Sequence, residues 1–360
     1  MMTLFTDETV KAVREQSIQA DRTGVPTRLM LDTVYEQGLF KLFVPEALGG
    51  RMCSLPDALR IYEEASRIDG NFGWLITIGA GGGFFAPFIE PPVSERMFAP
   101  RDAVIAGSGT AGGTAKRVEG GYVASGRWKF CSGSTHATVF TANCIIEEEG
   151  ARPDGNAEVR SFVFWPDQVH IVRDWNAFGL KATESHTIEV TEAFVPEEMT
   201  FSIFSDHYYY DHPVYRYPFL QFAQATFAAV AAGIGRHFFE EAREVLRQKR
   251  EAWQGADRYE FVRQTVERHE ERLRHSVAEF YDTVNSSWSR HAAGNELSDE
   301  ELQLVSRQCH QTARAALQGA QSVFPYMGIG AVMEDAPINR IWRDLHTACQ
   351  HSLLVPFYEM

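Results

Sequence analysis

Apolar positions along this chain change their spacing twice, and the changes divide it into three blocks. Over residues 1–103 they recur three and four apart, the period of helices that bury one face. Thr6 or Asp7 is placed to cap a helix running to about Ala20, and a second helix precedes Gly38. A third begins near Ser54, tolerates Pro56 in its first turn, and runs to Ile68, with Leu59, Tyr62, Ala65 and Ser66 on one side. Over residues 104–205 the runs shorten into VFTANCII, RSFVFW and HTIEV, rich in β-branched and aromatic residues. Gly120-Gly121 predicts a hairpin, and residues 151–156, with Pro153 and Gly155, predict a loop. Strands with no helical pattern between them predict an antiparallel β domain rather than a doubly wound sheet. Over residues 206–360 helices return and lengthen: Pro218 to Arg250, Asp257 to about Ala293, and a helix opened by the Ser298/Glu301 capping box and ending near Phe324. A last helix starts at Pro337 and runs through Leu354. Two of the four span about 50 Å at ~1.5 Å per residue, which predicts a four-helix bundle. The class expected is α+β: a helical N-terminal domain, a central antiparallel β domain and a C-terminal four-helix bundle.

Composition narrows the partners. The 360 residues carry 48 acidic and 34 basic side chains, a net charge of −14, which disfavours nucleic acid. Cys53, Cys131, Cys144, Cys309 and Cys349 form no CxxC pair, as expected of free thiols in a reducing cytoplasm. The start turns polar too soon for a secretory segment. Residues 71–89 hold no charge and approach the length of a membrane span. Gly73, Gly79, Gly81, Gly82, Gly83 and Pro87 leave too few apolar side chains for insertion, so a buried or interface helix is expected and no membrane partner.

Residues 107–112 match a dinucleotide-binding fingerprint literally, but a strand-like segment follows where the chemistry needs a helix N-terminus. The glycines could still let backbone N–H groups approach a ligand, or serve only to turn the chain. No metal site is expected: His346 and His351 are five apart, and no HExxH occurs. The richest constellation runs from Gly126 to Ala137, GRWKFCSGSTHA. Strand alternation would put Trp128, Phe130 and Ser132 on one face. That face is either a stacking wall with a hydroxyl donor for a flat heteroaromatic ring, or a packed sheet face ending in a turn at Ser132-Gly133.

Several segments together resemble the acyl-CoA dehydrogenase superfamily of flavoproteins. They are Gly38 to Gly50 (GLFKLFVPEALGG), Asp174 to Ser185 (DWNAFGLKATES), Val190 to Pro196, and Pro337 to Asp344 (PINRIWRD). Dehydrogenases of this family carry a catalytic glutamate eight residues after that final Asp; here the count reaches Ser352, preceded by His351. The segments Gly126–Ala137 and Arg340–His351 instead resemble the family's flavin-dependent monooxygenase branch. That resemblance implies FAD or FMN, O₂, a small-molecule substrate, reduced flavin supplied by a separate reductase, and a tetramer or dimer. By position it implies His351 and Ser132 as catalytic residues. It places Ser108, Gly109, Thr110, Trp128, Phe130, Cys131, Ser132 and Gly133 against the cofactor, with His136 supporting their loop. A dehydrogenase or oxidase, and a silent scaffold of the same fold, remain the alternatives.

Overall fold

The computed structural model describes residues 5–147, 157–253 and 257–356; the expected loop at 151–156 lies outside them. Its N-terminal part holds α1 (Asp7–Thr23), α2 (Arg28–Glu36), α3 (Leu55–Ile68), α4 (Gly70–Gly81) and α5 (Pro91–Phe98). Thr6 and Ser54 cap α1 and α3 through their hydroxyls, as their side-chain chemistry predicts. The α3 stripe of Leu59, Tyr62, Ala65 and Ser66 is fully buried. The uncharged segment becomes α4 and a 3₁₀ stretch, Gly82–Phe88, with α4 packed inside the chain against α3 and the helices Phe219–Lys249 and Pro337–Ala348. Close approach explains its glycines: a Cβ on Gly73 would lie 2.0 Å from the Ser66 hydroxyl. Among the described residues no helix is long and apolar enough to cross a membrane.

Seven strands follow: β1 (Ile105–Val118), β2 (Gly121–Cys131), β3 (Val139–Glu147), β4 (Val159–Phe164), β5 (His170–Val172), β6 (His186–Pro196) and β7 (Thr200–Phe201), in the order β5-β6-β2-β1-β3-β4-β7. The hairpin at Gly120-Gly121 joins β1 and β2. The sheet is mixed, however, because β1 and β3 run parallel, which corrects the antiparallel expectation. After β2, residues 132–138 cross the start of β1, where Thr138 and Val139 donate to the Val104 carbonyl, and β3 pairs on the far side. Periodicity reveals strands but not such a skipped neighbour.

The C-terminal part holds the short α6 (Pro213–Arg216), then α7 (Phe219–Lys249), α8 (Asp257–Ala292), α9 (Asp299–Val323) and α10 (Pro337–Ala348). The last four form the bundle, with α3 laid along α7 and the Ser298/Glu301 capping box formed at both bonds. The last helix stops at Ala348, short of the predicted Leu354. His351 has extended backbone angles and its ring accepts the Leu353 N–H, opening a 3₁₀ turn ahead of Pro356. The helical angle between His346 and His351 therefore has no meaning here.

Candidate active site

Three elements converge where the sheet meets the bundle. The turn after β2 brings Ser132, α4 brings Trp74, and the turn after α10 brings His351. The indole N–H of Trp74 donates to Ser132 Oγ at 2.9 Å. The Trp74 ring lies 6.1 Å from the His351 ring and 5.3 Å from Phe227 on α7, and Phe227 stacks on His351 at 3.8 Å and 27°. The two residues predicted as catalytic, distant in sequence, are thus both brought beside one indole.

Ser132 is only 6% exposed, and its surroundings are stitched to the segment after Trp175. Ser132 Oγ lies 2.7 Å from Ser185 Oγ, which lies 2.7 Å from Thr183 Oγ1, which donates to the Leu180 carbonyl at 2.8 Å. Gly133, at φ +76°, donates its N–H to the Thr183 carbonyl, and Ser134 donates to that of Glu184. His136 stacks on Phe40 and lies beside Glu184.

The single-face expectation for Trp128, Phe130 and Ser132 fails. Between Trp128 and Cys131, β2 advances three residues while β6 advances two, so one extra residue bulges and alternation breaks. Phe130 takes φ +65°, is 69% exposed, and meets the edge of Trp175 at 6.2 Å. Trp128 is instead a core residue, which corrects its place in a stacking wall. Its indole lies over Gly113 of β1, where a Cβ would sit 2.4 Å away, and donates to the Asn143 carbonyl on β3. Cys131 turns its thiol into the core, where burial pushes its pKa up to about 12.

The fingerprint glycines also divide. Gly107 and Gly112 serve close packing of strands, whereas Gly109 faces open space. Register shifts around Ser108 and Ala111 bulge Gly109 and Thr110 out of the pairing with β3, so these two form an exposed rim beside the half-buried Ser108. Among the described residues no group of three or more histidine, cysteine and carboxylate side chains is arranged to hold a metal ion.

His351 is electrostatically plain. Burial alone lowers its pKa from the ordinary 6.5 to about 4, so the ring is neutral near pH 7. Because Nδ1 accepts from Leu353, Nε2 carries the proton, and no described residue bonds to it. The imidazole therefore offers an N–H donor to a ligand, rather than the interchangeable acid and base that an unperturbed histidine would provide.

Trp74, Phe227, Thr183 and Ser185 are site residues that sequence reasoning did not single out. Trp74 had a signal: an indole N–H inside an uncharged buried helix must find an acceptor. The two hydroxyls had only their two-residue spacing.

The family model described as "Acyl-CoA dehydrogenase, N-terminal domain" matches residues 1–90, and "Acyl-CoA dehydrogenase, C-terminal domain" matches residues 225–356. The chain belongs to the acyl-CoA dehydrogenase superfamily. Within it, the chain is 28% identical to the indole-3-acetate monooxygenase of Pseudomonas putida, covering 93% of this chain and 85% of that one. It is 23% identical to the oxygenase subunit HsaA, a flavin-dependent monooxygenase of Mycobacterium tuberculosis, over 88% and 82% of the two chains. The crystal structure of HsaA superposes with a TM-score of 0.88, at 21% identity, over 97% of this chain and 93% of that one. The acyl-CoA dehydrogenase fold is thus shared with monooxygenases as well as dehydrogenases, and the residues around Trp74 bear on which chemistry this chain performs.

Proposed function

We propose that this chain is the oxygenase of a flavin-dependent monooxygenase that oxidises a small aromatic substrate, with reduced FMN or FAD delivered by a separate reductase. The observation that carries the reading is the neutral imidazole of His351, stacked on Phe227 beside Trp74, one residue before the position where a dehydrogenase of this family carries its carboxylate, which is Ser352 here. The residues fit a planar redox ring: a hydroxyl at Ser132, an exposed aromatic at Phe130, and an open backbone rim at Gly109 and Thr110 beside Ser108. Trp128 and the Cys131 thiol take no part; Gly133 contributes by turning the chain. Named relatives that are oxygenase components support the need for a reductase.

Reduced flavin supplies two electrons and two protons, so that one atom of O₂ enters a substrate C–H bond as hydroxyl and the other leaves as water. The chain's residues bind, orient and exclude water. Ser132 would hold a hydrogen bond to the ring, and the Trp74 indole N–H fixes the position of its oxygen. Phe227 and Trp74 offer apolar faces to an aromatic substrate, and His351 Nε2–H donates to a substrate oxygen, favouring its negative charge.

The test is anaerobic titration with reduced FMN and reduced FAD, followed by isotopically heavy O₂ in the presence of indole-3-acetate or a phenol. One heavy oxygen atom per product is expected, and His351→Ala should lose product by about 10²-fold while still binding flavin. Reduction of the bound flavin by an acyl-CoA, or an active His351→Ala enzyme, would overturn the reading.

A further inference from the structure

The hydroxyl chain behind Ser132 has a property that follows from counting its protons. Trp74 Nε1 can only donate, so Ser132 Oγ always accepts from it. Ser132, Ser185 and Thr183 each carry one proton, and their two mutual contacts, both 2.7 Å, can run in either direction. In one arrangement Ser132 donates to Ser185, Ser185 to Thr183, and Thr183 to the Leu180 carbonyl. Ser132 then shows a ligand a lone pair. In the other, Thr183 donates to Ser185 and Ser185 to Ser132, so the Ser132 proton is free to point at a ligand.

The end of the chain makes the reversal inexpensive. The Leu180 carbonyl already accepts from Trp175 Nε1 at 2.9 Å and from the Thr183 N–H at 3.3 Å, so it stays satisfied when the Thr183 hydroxyl turns away. The three hydroxyl residues are at most 6% exposed. With solvent excluded, their orientation is set by one another and by whatever ligand Ser132 meets.

We propose that Thr183 and Ser185 are positioning residues that let Ser132 reverse its hydrogen bond according to the redox state of the bound flavin. This rests on the proposed function, which places the flavin ring against Ser132. The ring nitrogen concerned carries a proton when flavin is reduced and a lone pair when it is oxidised. A fixed hydroxyl can match one state; a reversible one matches both.

The experiment measures dissociation constants of oxidised and reduced FMN, and of oxidised and reduced FAD, for wild type, Thr183→Val, Ser185→Ala and Thr183→Ser, together with the midpoint potential of bound flavin. Thr183→Val leaves Ser185 no acceptor but Ser132, and Ser185→Ala leaves Ser132 no acceptor but the ligand. Both variants therefore hold Ser132 as a donor. Each should weaken reduced flavin relative to oxidised by about 3- to 10-fold, the equivalent of one hydrogen bond. At ~30 mV per tenfold for a two-electron couple, the midpoint potential should fall by about 15–30 mV. Thr183→Ser should behave as wild type. Equal weakening of both redox forms, or an unchanged ratio in the folded variants, overturns the relay while leaving the flavin site standing. If wild type binds neither flavin in either state, the functional reading falls and takes the relay with it.

Discussion

Helix α10 touches two buried regions that use opposite chemistry. Along the helix, Arg343 forms a two-pronged contact to Asp21 at 2.7 and 3.1 Å, and Arg340 faces Asp69 at 3.7 Å. Asp344 accepts the Leu180 N–H at 2.6 Å, beside Asn71, which holds the Ala182 N–H. Beyond its end the partners are neutral: an imidazole, two aromatic rings, an indole N–H and a file of hydroxyls. Charges in a dry interior bind strongly in one geometry and punish any departure from it. Neutral hydroxyls change partners at little cost. The ionic region thus fixes where the 178–185 segment lies, and the neutral region leaves the hydroxyls around Ser132 adjustable.

The contrast breaks most severely at Arg343. Arg343→Ala strands Asp21 and removes the donor to the Phe178 carbonyl, and should cost about 3–5 kcal/mol in urea unfolding. Asp344→Ala leaves the Leu180 N–H without an acceptor and should cost about 1–3 kcal/mol, whereas Asp344→Asn keeps an acceptor and should cost much less. Burial, with the Asp69 charge adding to it, raises the Asp344 pKa from 3.8 to about 7. The folded chain therefore holds that proton more tightly than the unfolded chain. The resulting stability is full below pH 3.8 and lost as pH rises toward 7, a dependence that Asp344→Asn should remove.

On the neutral side, Trp74→Phe keeps a ring but deletes the donor to Ser132. It should cost about 1 kcal/mol of stability while changing flavin affinity several-fold, a split that equilibrium unfolding and flavin titration would reveal. Acid should act with the opposite sign to Asp344. Burial depresses the His351 pKa, so its contribution is full above pH 6.5 and declines as pH falls toward 4, and the buried His237, depressed well below its ordinary value, acts in the same direction. A melting series at several pH values, compared with His351→Ala, isolates the His351 share. The smallest effect belongs to the surface pair of the exposed Arg247 and the half-exposed Glu244 on α7: Arg247→Ala should leave the melting temperature unchanged.

Much of the fold is legible because its signals are local. Thr6, Ser54 and Ser298 sit where helix ends need oxygen acceptors, and the α3 stripe faces inward. The pairing of His351 with Ser132 came from motif position alone, without the Trp74 that joins them. What local reading misread was Phe130, since a single extra residue after Trp128 in β2 breaks the alternation that would have put the two on one face. It also carried α10 too far, because His351 leaves the helix to cap the next turn.

By itself, then, the amino-acid order determined the succession of helical, strand and long-helical blocks, the caps, and the residue types available for chemistry, since each depends on neighbours within a few positions. Only the tertiary structure decided that β3 lies beside β1, that Trp128 is core, and that Trp74, Ser132, Ser185 and His351 lie together. It also decided that His351 is neutral with its proton on Nε2. Those outcomes depend on which distant segments exclude water from one another, and on the few hydrogen-bond partners left once they have.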